Sequence, residues 1–223
     1  MNINESAFYP SAVIFDMDGL MLDTERLSIP LWAEAGNIFG YIITEEIVLR
    51  MVGISSQKTR GLLLDEFGPD FPYDSVCEKF RVLVKKEIEK NGVPKKYGLI
   101  ELLDRLASAK IPLAVATSTR RATALEMLGK ADILDRFSAV VCGDDVVNGK
   151  PAPDIFLLAA EKLGISPSAC VGFEDSPAGL KGLHSAGIRS IFIKDVIEPP
   201  QDVLATVWRR CNDLKEAAEL FNL

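Results

Sequence analysis

A chain of 223 residues that is 48% hydrophobic, 26% charged and 8% aromatic can bury a full core and is too apolar to stay disordered. Its formal net charge of -7 excludes nucleic acid as the main partner, because a phosphate backbone requires a basic face. The opening MNINESAFYP has neither the basic start nor the apolar run of a signal peptide, and no window approaches the roughly 20 apolar residues of a membrane helix, so a cytoplasmic chain without membrane attachment is expected.

In chain order, the apolar run 12–15 ends on two aspartates and predicts a buried strand. From 24 to 91 the apolar spacing is helical throughout, over 25–39, 45–51, 57–67 and 74–90, with no strand between. Strands are then expected at 113–117, 139–142, 169–173 and 190–193, alternating with helices at 99–109, 123–128, 155–163 and 177–186. Gly164 and Gly187 sit where helices should stop, and Ser176-Pro177 suits an N-cap followed by the first helical residue. Alternation of this kind predicts an α/β fold, a doubly wound parallel sheet, with residues 24–91 inserted as an all-helical domain and the sheet built from 1–23 and 92–223. Cys77, Cys142, Cys170 and Cys211 form no C-x-x-C pair and are expected as buried reduced thiols.

Asp16 and Asp18 stand two residues apart at the carboxyl end of the first strand, where open α/β sheets bind ligands. Alone the pair is as compatible with an ordinary Asp-Gly turn. Thr117 after the second strand, Lys150 ahead of a helix, and Glu174-Asp175 after the fourth strand each fall where strand tips and helix starts converge on one crevice. If Asp18 is protonated, Asp16, Glu174 and Asp175 carry three negative charges, which one divalent metal and Lys150 would balance. Oxygen-only donors favour Mg²⁺ over zinc. A metal, a lysine, a hydroxyl and strand-tip amides suit a phosphoryl group. In that crevice Asp16 would attack phosphorus, and Asp18 would protonate the leaving oxygen and later deprotonate water. Thr117 with the amides of Met17, Asp18 and Ser118 would bind the phosphoryl oxygens, and Gly19 would turn the chain away.

Other chemistries fit less well. The run from Gly143 to Lys150 has five residues between its glycines and a proline after the lysine, so it is not a P-loop. There is no G-x-G and no C-x₅-R, and the single histidine, His184, is at helical spacing and expected to be structural or surface-facing.

The run Asp16-Met-Asp18-Gly19-Leu-Met-Leu-Asp23-Thr24-Glu25, then Ala116-Thr117-Ser118, Gly149-Lys150-Pro151-Ala-Pro153-Asp154 and Gly172-Phe-Glu174-Asp175-Ser176-Pro177, resembles in order the four motifs of the haloacid dehalogenase superfamily. The resemblance implies a Rossmann-like core and a helical cap inserted after the first motif. It also implies Asp16 as nucleophile, Asp18 as acid and base, and Thr117, Ser118 and Lys150 around phosphate. Around Mg²⁺ it implies Asp16, the Asp18 carbonyl, Glu174 and Asp175. The second aspartate, absent from dehalogenases proper, argues against carbon–halogen cleavage.

Within the superfamily the chain resembles both the phosphatases of small phosphorylated metabolites and the β-phosphoglucomutases. The mutases carry a cap histidine and a cap arginine where this chain has Ser28 and Ser56, after the Gly53-Ile54-Ser55 turn, although Arg60 lies close by. A phosphatase acting on a small phosphorylated metabolite, a sugar phosphate or a nucleotide-like ester, is therefore expected, with a hexose-phosphate mutase and a catalytically silent phosphate-binding module as the alternatives. No protein partner is implied.

Overall fold

The computed structural model describes residues 9–52, 54 and 56–221. Most of the opening segment read above for a signal peptide, and Gly53 and Ser55 of the cap turn, lie outside these residues. The chain divides into two compact units, Met1–Met21 with Lys95–Leu223, and Leu22–Pro94.

The first unit carries a six-stranded parallel sheet in the order β3-β2-β1-β4-β5-β6. Its strands are β1 (Ala12–Phe15), β2 (Leu113–Ala116), β3 (Ala139–Val141), β4 (Cys170–Glu174), β5 (Arg189–Ile193) and β6 (Arg209–Cys211). β1, β2 and β4 are buried along their whole length, as expected of strands covered on both faces. Side chains alternate between the faces. Ala12 and Ile14 share one cluster with Ala114, Ala116, Ile155, Phe156, Ala159 and Leu183. Phe15, of the opposite parity, stacks on Phe173 with centroids 5.0 Å apart.

The second unit is helical: α1 (Thr24–Ile38), α2 (Glu45–Met51), α3 (Ser56–Phe67) and α4 (Tyr73–Asn91). Leu31, Ala35, Ile47, Leu63, Phe71 and Val76 close its core, and Trp32 of α1 stacks on Phe80 of α4 at 4.2 Å. Thr44 caps α2 by accepting from Ile47 N. Gly36 has no room for a side chain, since a Cβ there would lie 2.7 Å from Ile43 and 2.8 Å from the Tyr41 carbonyl.

The helices of the sheet unit are α5 (Leu99–Ser108), α6 (Arg121–Lys130), α7 (Asp154–Leu163), α8 (Pro177–Ser185), α9 (Gln201–Leu204) and α10 (Leu214–Glu219). Gly164 ends α7 in the left-handed conformation at φ 69°, and the Ser176 hydroxyl caps α8 with Pro177 in its first turn. The strand expected over 139–142 stops at Val141, because the Cys142 amide turns to the Asp145 carboxylate at 2.8 Å. β6, α9 and α10 are additions to the sequence reading. Arg209 and Arg210 give β6 no apolar run, and α9, four residues long, is too short to show a helical period.

Candidate active site

The strand order reverses between β1 and β4, and the carboxyl ends of these two strands form the crevice where a doubly wound sheet binds ligands. Phe15 pairs with Phe173, so the next residues on each strand, Asp16 and Glu174, arrive level with one another. The Asp16 amide donates to the Phe173 carbonyl at 3.1 Å and keeps that alignment one residue past β1.

Asp16, Glu174 and Asp175 are all buried, and each brings a carboxylate oxygen to within 4.8 Å of the others. The Lys150 ammonium bonds to Asp16 Oδ1 and lies 2.6 Å from Glu174 Oε1, with its Nζ 4.9 Å from the centre of the Phe156 ring. The second Glu174 oxygen accepts from the amides of Asp175 (2.9 Å) and Ser176 (2.8 Å) and from the Ser176 hydroxyl (3.0 Å). Ser176 thus caps α8 and fixes Glu174 with one hydroxyl. A Cβ on Gly179 would come within 1.6 Å of the Glu174 carboxylate, so the first turn of α8 must be bare there. Gly19 follows the same logic on the β1 side: its φ is 80°, and a Cβ would sit 2.4 Å from Asp175 Oδ2.

Burial pushes the Asp16 carboxyl up to about 8 against the pull of the Lys150 ammonium. Asp175 is driven well above the carboxylate range, first by burial and then by the Glu174, Asp16 and Asp195 charges. Burial alone would lower Lys150, but Asp16 and Glu174 outweigh it and hold the ammonium above its ordinary value. With all three carboxyls ionised the cluster would hold more buried negative charge than one lysine neutralises, which is why Asp16 and Asp175 keep their protons to higher pH. Three hard oxygen donors, in a group with no nitrogen or sulfur ligand, fit a hard divalent cation, of which Mg²⁺ is the expected one.

Asp18, half-buried, is joined to the loop after β2. Its Oδ2 accepts from Thr119 Oγ1 at 2.7 Å and lies 3.4 Å from Thr117 Oγ1. Thr117 is buried and its hydroxyl also accepts from the Thr119 amide at 3.1 Å, whereas the Ser118 residue is exposed. The structure thus brings Asp16, Lys150, Glu174 and Asp175 to one point and ties Asp18 to Thr117. Thr119 and a buried Lys96–Asp195 pair are additions to the sequence reading. Asp195 carried a usable signal, being a carboxylate just beyond a strand tip; a third hydroxyl in a Thr-Ser-Thr run carried none.

In the helical unit the Ser28 hydroxyl donates to the Thr24 carbonyl at 2.6 Å. Arg26, Arg60 and Arg81 pair with Asp23, Asp74 and Glu78. Ser56 opens α3, with its carbonyl accepting from the Tyr73 hydroxyl at 3.1 Å. His184 is exposed on α8.

The haloacid dehalogenase-like hydrolase family matches residues 13–193. A phosphorylated carbohydrates phosphatase from Thermotoga maritima is 37% identical over 184 residues, covering 81% of this chain and 83% of its own length. A beta-phosphoglucomutase from Bacillus subtilis is 30% identical over 189 residues, 81% of each chain. Among solved structures, a haloacid dehalogenase-type hydrolase from Entamoeba histolytica superposes with a TM-score of 0.76 at 26% identity, covering 95% of this chain and 99% of that one. The chain belongs to the haloacid dehalogenase-like hydrolases. Within that family it is an enzyme of the phosphatase kind, a phosphoric monoester hydrolase. Among the described residues no helix is long and apolar enough to cross a membrane.

Proposed function

We propose that the chain hydrolyses a phosphate monoester of a small metabolite, a sugar phosphate or a nucleotide-like ester, by way of a phosphoryl group carried on Asp16. The observation that carries this reading is the Lys150 ammonium bonded at once to Asp16 and Glu174 at the β1–β4 switch point, with Asp18 two residues further along the same loop. An Asp16 oxygen attacks phosphorus in line, forming the new P–O bond as the ester P–O bond breaks. Asp18 gives its proton to the departing alkoxide. It then takes a proton from the water that attacks the aspartyl-phosphate, which frees inorganic phosphate and restores Asp16. Lys150 orients Asp16 and offsets part of its charge. The Thr117 hydroxyl, Ser118 and the amides of Met17, Asp18 and Ser118 hold the phosphoryl oxygens. Mg²⁺, held by Asp16, Glu174, Asp175 and the Asp18 carbonyl, would supply positive charge against those oxygens. Four free buried cysteines are in keeping with a reducing, cytoplasmic setting.

The relative that acts on phosphorylated carbohydrates supports the substrate class. A mutase must keep a bisphosphate by a second cationic site, and the hydroxyl of Ser28 is engaged with Thr24 while Arg60 pairs with Asp74. The test is phosphate release across sugar phosphates, nucleotides and polyol phosphates, with and without chelator, in the wild type, Asp16→Asn and Asp18→Asn. Asp16→Asn should be inactive, and Asp18→Asn slowed by roughly 10²–10⁴-fold. No release from any ester would overturn the proposal in favour of a silent binding module. With β-glucose 1-phosphate and a trace of the 1,6-bisphosphate, conversion to glucose 6-phosphate faster than phosphate release would overturn it in favour of a mutase.

A further inference from the structure

We propose that Thr119 is a positioning residue for the proton-transfer steps: its hydroxyl fixes the Asp18 carboxyl in its working orientation, a role separate from that of Thr117. The inference rests on the reading of Asp18 as the proton carrier. Two hydroxyls approach the same oxygen of Asp18, and they are not equivalent. Thr119 Oγ1 is 2.7 Å from Oδ2, a full hydrogen bond, while Thr117 Oγ1 is 3.4 Å away and already accepts from the Thr119 amide at 3.1 Å. Thr117 is thereby aimed and only weakly spent on Asp18, which leaves its hydroxyl available to a phosphoryl oxygen. Thr119 is the residue whose side chain is committed to the carboxyl.

The backbone around Thr119 is built to hold that commitment. The Gly143 amide donates to the Thr119 carbonyl at 3.0 Å, and the Ser118 carbonyl lies so close that a Cβ on Gly143 would stand 2.2 Å from its oxygen. Two residues on, Arg121 ties the start of α6 to the loop after β3. Its amide donates to Asp144 Oδ1 at 2.9 Å, its guanidinium bonds to both oxygens of Asp145, and its Nη2 also donates to the Val140 carbonyl at 2.9 Å. Asp145 is in turn fixed by the Cys142 amide at 2.8 Å. Loops after three neighbouring strands, β1, β2 and β3, are thus braced against one another, and the two threonines carry the brace to Asp18.

A hydroxyl donor at Oδ2 is suited to this task because that oxygen keeps acceptor capacity in both protonation states of the carboxyl. Thr119 donates to Oδ2 of the Asp18 carboxylate, and it donates to the same oxygen of the carboxylic acid when the transferable proton sits on Oδ1. Asp18 is required to be each in turn within one catalytic cycle, so the bond survives both proton transfers and the carboxyl need not be re-aimed between them.

The leaving group provides the test. An alkoxide needs a proton as the ester bond breaks, whereas 4-nitrophenolate is stable enough to leave without one. Thr119→Val, Thr119→Ala and Thr119→Ser are compared with wild type using 4-nitrophenyl phosphate and the best alkyl phosphate from the substrate panel. For Thr119→Val and Thr119→Ala the expected loss in kcat/KM on the alkyl ester is roughly tenfold or more, part of the 10²–10⁴ that general acid–base catalysis supplies. The loss on the aryl ester should be several-fold smaller, KM should be little changed on both, and Thr119→Ser should restore the alkyl ester activity. Equal losses on the two esters, or losses confined to KM, would overturn the proposal by placing Thr119 in phosphate binding or in folding. Full activity of Thr119→Val on the alkyl ester would overturn it outright. A wild-type enzyme inactive on the whole panel would instead count against the proposed function.

Discussion

Lys96 Nζ lies 2.5 Å from Asp195 Oδ1, and the two side chains are only 9% and 1% exposed. Asp195 stands just past β5 and, through its charge, helps to push Asp175 up; a Cβ placed on Gly19 would touch both carboxylates, 2.4 Å from Asp175 and 3.2 Å from Asp195. Lys96 is itself fixed, its amide donating to the Met21 carbonyl at 2.9 Å. A buried ion pair therefore borders the carboxylate cluster beside Asp175, and its ammonium offsets the Asp195 charge that pushes Asp175 up.

Removing one member should cost far more than removing both. Lys96→Met leaves a buried carboxylate beside Asp175 without its ammonium, and a loss of about 3–5 kcal/mol is expected. Lys96→Met combined with Asp195→Leu should recover most of that loss. Urea unfolding of the two variants measures the difference; a double variant no more stable than Lys96→Met would show that the pair acts through something other than charge compensation.

Gly19→Ala should disable the site without unfolding the sheet. The left-handed φ of 80° costs an L-residue about 1–2 kcal/mol, and the new methyl must displace the Asp175 carboxylate at 2.4 Å. Activity should drop at least tenfold, on the scale that a 1 Å misplacement of reacting groups can cost about 10². The Mg²⁺ concentration for half-maximal activity should rise. An alanine variant with wild-type Mg²⁺ dependence would show that Asp175 is not among the metal's ligands.

The carboxylate cluster is legible in the sequence because Asp16 and Glu174-Asp175 each close an apolar run, and strand ends are where an α/β sheet puts its ligands. Lys150 is legible from its place just ahead of a helix and from the balance of charge. The four helices of residues 24–91 are legible because the 3.6-residue spacing persists through each. Thr119 is not, since nothing in Thr-Ser-Thr says which hydroxyl bends back to Asp18; that depends on the braced loop after β3. Nor is the pairing of Lys96 with Asp195, which are 99 residues apart and meet only because the strand order brings the tip of β5 beside the segment entering α5. The edge strand β6 is not legible either, because two arginines and one buried residue, Cys211, give no period.

Metal should stabilise the protein more as pH rises. Burial holds Asp16 at about 8, far above the ordinary value near 4, and Asp175 is also held high. A carboxyl raised on folding binds its proton more tightly in the native state, so without metal its contribution to stability falls as pH rises from about 4 through about 8. The raised Lys150 works outside this window, because its contribution is lost only as pH passes above its own value. A cation binds the deprotonated carboxylates and removes that penalty. The Tm increment on adding Mg²⁺ should therefore be larger at about pH 8.5, above the window, than at about pH 5.5, inside it. An increment independent of pH would place the metal on ligands other than Asp16 and Asp175.

The four cysteines should be silent in the folded protein. Thiolate, not thiol, reacts with alkylating and disulfide reagents, and all four side chains are buried. Burial pushes Cys170 and Cys211 up to about 11, and it moves Cys77 and Cys142 in the same direction. Cys170 in addition points its sulfur at the Ser166 carbonyl, 3.4 Å away, an acceptor that favours the protonated form. At pH 8 the reaction of a chromogenic disulfide with native protein should show no fast phase, and all four thiols should react at once in concentrated urea. Because none of them takes part in the chemistry assigned to Asp16 and Asp18, iodoacetamide at the same pH should leave phosphatase activity intact. A fast phase that titrates with loss of activity would mean that a cysteine borders the reacting phosphate, and the covalent step would have to be reassigned.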